Sequence, residues 1–201
     1  MNVRWAGAAA LGGLALALLG AAPVDKIQSM LARPKILCGR FDQRKQLVGL
    51  KNPISSSGRF CVVADKGVLW RTLQPFPNTL KITRDEIIQL SGERVALRMD
   101  ARQEPAVRMI NSVLFALLAG DFEPLEKIFE IDGAVHEKSW GVKLKPRDAG
   151  FAKAISAISL DGGVYVRSIV ISEASGDRTE IEFSAIQTGD RAIQPDEAAL
   201  F

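Results

Sequence analysis

The chain has 201 residues, a formal net charge of +3 at pH 7 and 47% hydrophobic residues. So small a charge on a chain of this length excludes nucleic-acid binding driven by electrostatics. The composition is that of a globular protein with a core and excludes a disordered chain.

The first 22 residues have the pattern of a secretory signal peptide. Arg4 is their only charge, and an uncharged run rich in Ala, Gly and Leu follows from Ala6 to Ala22. The same run is just long enough to cross a bilayer, so a retained anchor is the alternative. We expect cleavage because a run built from Ala and Gly inserts only weakly into a membrane and would make a poor anchor. Residues 1–22 are then a signal peptide, and 23–201 form a single domain.

A short helix and a meander of strands are predicted between residues 24 and 100. Apolar residues at helical spacing predict a helix over 24–34, which Pro34 ends. Residues 35–100 then form strands whose connections are too short for crossover helices, so the strands pair antiparallel. In the hairpin at 55–75 neither strand alternates cleanly between apolar and polar residues. Its second apolar surface must therefore be covered, either by core packing or by a ligand.

The two cysteines, Cys38 and Cys61, lie on neighbouring predicted strands. If 36–46 pair with 57–63 around the turn "VGLKNPIS", the register places the two residues directly opposite each other, within disulfide range. Two small buried thiols are the alternative. We expect the disulfide because an exported chain meets an oxidising compartment.

A helix that is apolar nearly all round is predicted over 104–121, and strands resume after it with "SWGVKLKP", "AISAISLD", "VYVRSIVISEA" and "TEIEFSAIQ". Such a helix must be buried or must cover something apolar. Two interpretations stay open at this point. The helix fills the concavity of the sheet and completes a core, or it is a movable lid over a cavity.

The sequence offers no constellation of catalytic or metal-binding residues. His136 is the only histidine, so it has neither a Cys/His cluster for a metal nor a serine motif for a triad. The nucleophile elbow, the P-loop and the glycine fingerprint are missing too. We therefore expect no enzyme, no catalytic residue, no metal and no cofactor.

Several short motifs nevertheless occur together in a particular order. A first strand contains "RFDQ", a second begins at Gly58, and a third carries Trp70 with Pro75 five residues later. "VKLKP" and a closing meander, "SLDGGVYVRSIVISEASGDRTEIEFSAIQTG", follow. In this order and spacing the chain resembles the LolA-like family of periplasmic lipoprotein carriers over residues 24–190.

The resemblance implies an α+β fold, namely an incomplete, half-open antiparallel β-barrel closed by helices, and a periplasmic location. Its hollow would shelter acyl chains. The implied lid residues are Ile110, Val113, Leu114 and Leu117. The implied lining residues are Phe41, Phe60, Val62, Val68, Trp70, Leu80, Ile82, Trp140, Ile181 and Phe183. The implied partners are an acylated lipoprotein or lipid cargo, an inner-membrane donor and an outer-membrane acceptor. The carrier itself would be a monomer.

One departure from the family pattern bears on the cargo. Family members often carry Arg-Pro before the third strand, and that arginine is thought to fasten the lid. Here Ala64 and Asp65 stand in its place. Carriage of a glycolipid or a polyene-type lipid is therefore one alternative, and a non-shuttling regulatory or structural module is another.

Overall fold

The computed structural model describes residues 23–92, 94–103, 115–116 and 123–201. Its helices are α1 (Pro23–Met30), α2 (Glu123–Glu126), α3 (Ala149–Ala152) and α4 (Pro195–Ala198). Its strands are β1 (Ile36–Gln46), β2 (Ile54–Val63), β3 (Gly67–Gln74), β4 (Asn78–Ile82), β5 (Glu86–Ser91), β6 (Arg94–Asp100), β7 (Phe129–Val135), β8 (Trp140–Pro146), β9 (Ile155–Gly162), β10 (Val166–Glu173) and β11 (Arg178–Thr188).

The eleven strands form one antiparallel sheet in the order β6-β5-β4-β3-β2-β1-β11-β10-β9-β8-β7. Neighbours in the sheet are neighbours in the chain, except where β11 returns to pair with β1. Over the described residues β6 and β7 remain the two edges, so the sheet is not closed. The expected half-open α+β fold is confirmed.

One face of the sheet, here called the inner face, carries the main apolar cluster of the molecule. Its residues pair across strands because side chains on one face stand opposite each other in an antiparallel ladder. One such row runs through β1 to β5 as Leu37, Val62, Val68, Ile82 and Ile87. All five are buried.

Helix α1 packs onto this inner face beside β7. Val24, Ile27 and Leu31 recur at helical spacing and are all buried in the main cluster. Ile27 has no exposed surface at all, and full burial of such a side chain contributes about 1.5–3 kcal/mol. The predicted helix over 24–34 is present, although its helical part ends at Met30.

The opposite face, here called the outer face, has a smaller apolar cluster under the C-terminal segment 189–201, which the sequence analysis left unassigned. Its buried members are Cys38, Cys61, Leu69 and Ala192, with Ile36, Ile193, Leu200 and Phe201 packed against them. Cys38 and Cys61 are paired in register, their Cα atoms lie 4.1 Å apart, and they form a disulfide. The predicted disulfide is thus confirmed. On the outer face of the hairpin at 55–75 this cluster buries Cys61 and Leu69, and on the inner face Phe60, Val62 and Val68 belong to the main cluster.

A buried carboxylate fastens this C-terminal segment. Glu197 in α4 is 1% exposed, and both of its oxygens accept hydrogen bonds from Arg59, at 3.0 and 3.3 Å. The backbone N–H of Gln194 donates to the same carboxylate at 3.0 Å. Next to it, Arg71 donates to Asp196 at 2.6 Å. Charge-assisted bonds of this kind are the strong ones in proteins.

Most of the predicted helix at 104–121 lies outside the described residues, and so do Ile110, Val113, Leu114 and Leu117. Two of its residues, Phe115 and Ala116, are described and are helical. Ala116 is buried in the main cluster, with Phe115 packed against it. In the part of the chain that the structure describes, no helix combines the length and the apolar character needed to cross a membrane.

Candidate functional site

Four aromatic side chains meet at the centre of the inner face. Phe41 of β1 stacks on Trp70 of β3, with ring centroids 3.8 Å apart and planes at 25°. Phe183 of β11 lies 4.8 Å from Phe60 of β2 and meets Trp70 edge-on at 6.1 Å. Aromatic pairs in such arrangements add about 0.5–1.5 kcal/mol beyond their burial. We call these four residues the aromatic cluster.

Two glycines let the aromatic cluster lie flat on the sheet. Gly58 stands opposite Phe41, and Gly39 stands opposite Phe60. A Cβ at Gly39 would come within 2.9 Å of the Phe60 ring, and one at Gly58 would come within 2.9 Å of the Phe41 ring. Each ring therefore occupies the space that a partner side chain would otherwise fill.

A cavity of about 360 Å³ opens beside the aromatic cluster, between the sheet and the segment that follows α1. Its volume is at the lower end of the range for small-molecule sites, about 300–1,000 Å³. Most of its lining is apolar. The lining residues are Leu31, Ala32, Arg33, Pro34, Leu37, Phe60, Val62, Ala64, Asp65, Tyr165, Val166, Phe183 and Ile186.

The residues predicted to line a hollow divide into two groups. Phe60, Val62 and Phe183 line this cavity. The others belong to the main apolar cluster but do not line the cavity: Phe41 and Trp70 in the aromatic cluster, Val68 in β3, Leu80 and Ile82 in β4, Trp140 in β8 and Ile181 in β11. The inner face thus gathers all of them, and the cavity lies at only one part of it.

Several lining residues were not predicted from the sequence, and two of them show why. Leu37 precedes Phe41 by four residues in the same strand, so alternation alone could have placed it on the inner face. Ile186 follows Phe183 by three, which predicts the opposite face. A bulge opposite Gly39 shifts the register between β1 and β11, and Ala185 takes a φ of 48°. Ile186 is therefore turned back towards Gly39 and the cavity.

The chemistry available near these surfaces is limited. His136 is exposed in the turn between β7 and β8. Among the described residues, Cys38, Cys61 and Glu197 are grouped closely enough to hold a metal ion. However, the two sulfurs are bonded to each other and offer no thiolate.

A family model described as "Outer membrane lipoprotein carrier protein LolA-like" matches residues 17–199 of the chain. No curated protein sequence matches the chain significantly.

Solved structures resemble the fold at low sequence identity. MucB of Pseudomonas aeruginosa, in its complex with MucA, matches with a TM-score of 0.51 and 15% identity, over 87% of this chain and 60% of that one. A LolA superfamily protein from Nitrosomonas europaea matches with a TM-score of 0.44 and 8% identity, over 86% and 93%. An outer membrane lipoprotein-sorting protein domain from Vibrio parahaemolyticus matches with a TM-score of 0.43 and 9% identity, over 86% of this chain and 92% of that one.

Proposed function

Because the chain belongs to the LolA-like family of outer membrane lipoprotein carrier proteins, we propose that it carries an acylated lipoprotein, or another acylated amphiphile, with an acyl chain in the cavity beside the aromatic cluster. The family is periplasmic. The chain would work there as a monomer, taking cargo from an inner-membrane donor and passing it to an outer-membrane acceptor. It would use no cofactor and catalyse no reaction.

The observation that carries this proposal is the apolar cavity of about 360 Å³ on the inner face. Each buried acyl methylene contributes about 0.8 kcal/mol, so even part of one chain supplies useful affinity. A single acyl chain also binds membranes reversibly. A cavity of similar affinity can therefore exchange its cargo without hydrolysis, because transfer needs only a difference in affinity between donor, carrier and acceptor.

Blocking the cavity mouth tests the proposal. Ala64 lines the cavity but is exposed, so Ala64→Trp fills the mouth without disturbing the buried cluster. We expect it to lower the affinity for a fluorescent fatty acid at least about tenfold, the loss of two buried methylenes. Ala134→Trp, at an exposed position on β7 outside the cavity, is the matched control and should bind as the wild type does. Equal binding by both variants would contradict a ligand in this cavity.

The domain boundary belongs to the same proposal. We propose that residues 1–22 are cleaved as a signal peptide, since a shuttle must diffuse freely between two membranes. The uncharged run from Ala6 to Ala22 also suits an anchor, and an anchored chain would favour the non-shuttling regulatory or structural module. N-terminal sequencing of the protein from its native compartment separates the two. A mature chain that begins near Pro23 supports the carrier, and a retained Met1 supports the module.

The identity of the cargo is tested by extraction. Mass spectrometry of material copurifying with the protein, without detergent, should find acylated lipoprotein. A glycolipid or polyene-type lipid found there would assign the chain to the alternative cargo class. Ala64 and Asp65 stand where family members often carry Arg-Pro, and this difference supports the alternative cargo class.

A further inference from the structure

The described lining of the cavity contains one cation, Arg33, and one anion, Asp65. Arg33 lines the cavity and is exposed. Over the residues that the structure describes, its guanidinium forms no salt bridge with a carboxylate. Asp65, the carboxylate of this lining, is paired at 3.8 Å with Arg84 instead.

Backbone pairing brings further cations to the same rim. The N–H of Ala64 donates to the carbonyl of Lys35 at 2.8 Å, so the segment 33–35 runs beside the turn at 64–66. Lys35 and Lys66 are both exposed in these two stretches. These two stretches, which form one rim of the cavity, therefore carry three cations, Arg33, Lys35 and Lys66, and one anion, Asp65, which is paired with Arg84.

The floor of the same cavity is apolar, being formed by Leu37, Phe60, Val62, Val166 and Phe183. An apolar floor beneath a cationic rim fits an amphiphile whose tail points inward and whose head is negative. A guanidinium is suited to this task because its planar fork can donate two parallel hydrogen bonds to a phosphate or a carboxylate.

We propose that the cargo carries an anionic headgroup, a phosphate or a carboxylate, which Arg33 binds at the cavity mouth while the acyl chain lies on Phe60 and Phe183. This inference rests on the proposed function and specifies its ligand class. The anionic group belongs to the amphiphile, and free phosphate is not the ligand.

The experiment compares dodecyl phosphate, dodecylphosphocholine and dodecyl maltoside, which share one tail and differ in head charge, below their micelle concentrations. We expect the wild-type protein to bind dodecyl phosphate about three- to tenfold more tightly than dodecyl maltoside, the effect of one exposed charge-assisted contact. Arg33→Gln should abolish this preference by weakening the binding of dodecyl phosphate more than that of dodecyl maltoside. Added salt should weaken the preference in the wild type. Arg44→Gln, at an exposed arginine on β1 outside the cavity, is the matched control and should keep it.

The other outcomes separate the role of Arg33, the anionic cargo and the carrier function from one another. A preference that persists in Arg33→Gln, with an unchanged melting temperature, would overturn the role of Arg33. Equal affinity of the wild type for the phosphate and the maltoside would overturn the anionic cargo but leave the carrier function standing. Failure to bind any of the amphiphiles would instead contradict the proposed function. Displacement of dodecyl phosphate by millimolar inorganic phosphate would overturn the assignment to a lipid headgroup.

Discussion

At Gly58, β2 and β3 approach so closely that a Cβ atom would lie 1.9 Å from the carbonyl oxygen of Arg71. We expect Gly58→Ala to lower the free energy of unfolding by about 2–4 kcal/mol, because the added methyl group would force the backbone of β2 and β3 apart. At Gly141 in β8 the nearest atom to such a Cβ is 3.8 Å away. Gly141→Ala should therefore change stability by less than about 0.5 kcal/mol. Urea unfolding measures both, and equal effects would contradict the close approach.

Single residues also show how far the sequence could predict the candidate site. The family resemblance named Val62 and Val68 together as lining residues, and both lie on the inner face. It could not predict how deeply each side chain is buried, because burial depends on which residues pack over the inner face. Val68 has no exposed surface and stands between Val62 and Ile82, whereas Val62 lines the cavity. The pattern of apolar residues along a strand does not say which of the two valines faces an open space.

At the scale of elements, the docking of α4 onto the outer face depends on a buried ion pair. Removing the charge of Glu197 leaves Arg59, itself one-quarter exposed, with a weaker partner. We expect Glu197→Gln to lower the free energy of unfolding by about 1–3 kcal/mol. Glu180→Gln is the control, since its salt bridge with Arg178 is about half exposed and such pairs contribute little. A loss in Glu180→Gln as large as in Glu197→Gln would show that burial does not decide the difference.

The same segment shields the disulfide. Cys38 and Cys61 are each 1% exposed beneath it, and a Glu197 oxygen lies 3.4 Å from the Cys61 sulfur. A thiolate reductant must therefore displace the segment and approach a carboxylate of the same charge. We expect removal of residues 190–201 to speed reduction by dithiothreitol at least about tenfold, which requires about 1.4 kcal/mol of protection. Alkylation followed by intact-mass measurement gives the rate. An unchanged rate would mean that the segment opens freely.

A pH dependence follows from the neighbouring pair. The hydrogen bond from Arg71 lowers the pKa of Asp196 below its ordinary value. A carboxylate whose pKa is lowered by folding adds stability above its unfolded pKa of about 3.9 and loses it as the pH falls through the lower folded value. We expect Asp196→Asn to be less stable than the wild type at pH 7, with the gap closing below about pH 4. Urea unfolding at several pH values checks this, and a gap that widens in acid would have the wrong sign.

Elements differ in how well the sequence predicts them. The disulfide register was predictable because the turn at 48–55 fixes which residues of β1 and β2 stand opposite each other. Segment 189–201 was not, because nothing local links Ala192 or Glu197 to an outer face formed by residues more than a hundred positions earlier. Alternation along β11 would place Ile186 on the wrong face, because a bulge is a property of two paired strands and not of one sequence.

For the whole molecule, the meander explains how an open sheet can hold a cavity. Consecutive strands pair within each half, β1 to β6 and β7 to β11, and β11 joins the two halves by pairing with β1. Aromatic side chains from both halves meet at this junction, because Phe41 of β1 stands opposite Phe183 of β11. Helix α1 packs beside β7, and the segment 31–34 that follows it lines the cavity together with Phe60 and Phe183 of the aromatic cluster. The space left between them is the cavity.

The central claim is that an acyl chain binds in this space. A crystal structure of the protein with a fatty acid brominated along its tail tests it most directly, because anomalous scattering locates the bromines. We expect bromine peaks on the inner face, in contact with the rings of Phe60 and Phe183. Peaks confined to the outer face or to the molecular surface, with the cavity between those rings and Leu37 free of ligand, would contradict it.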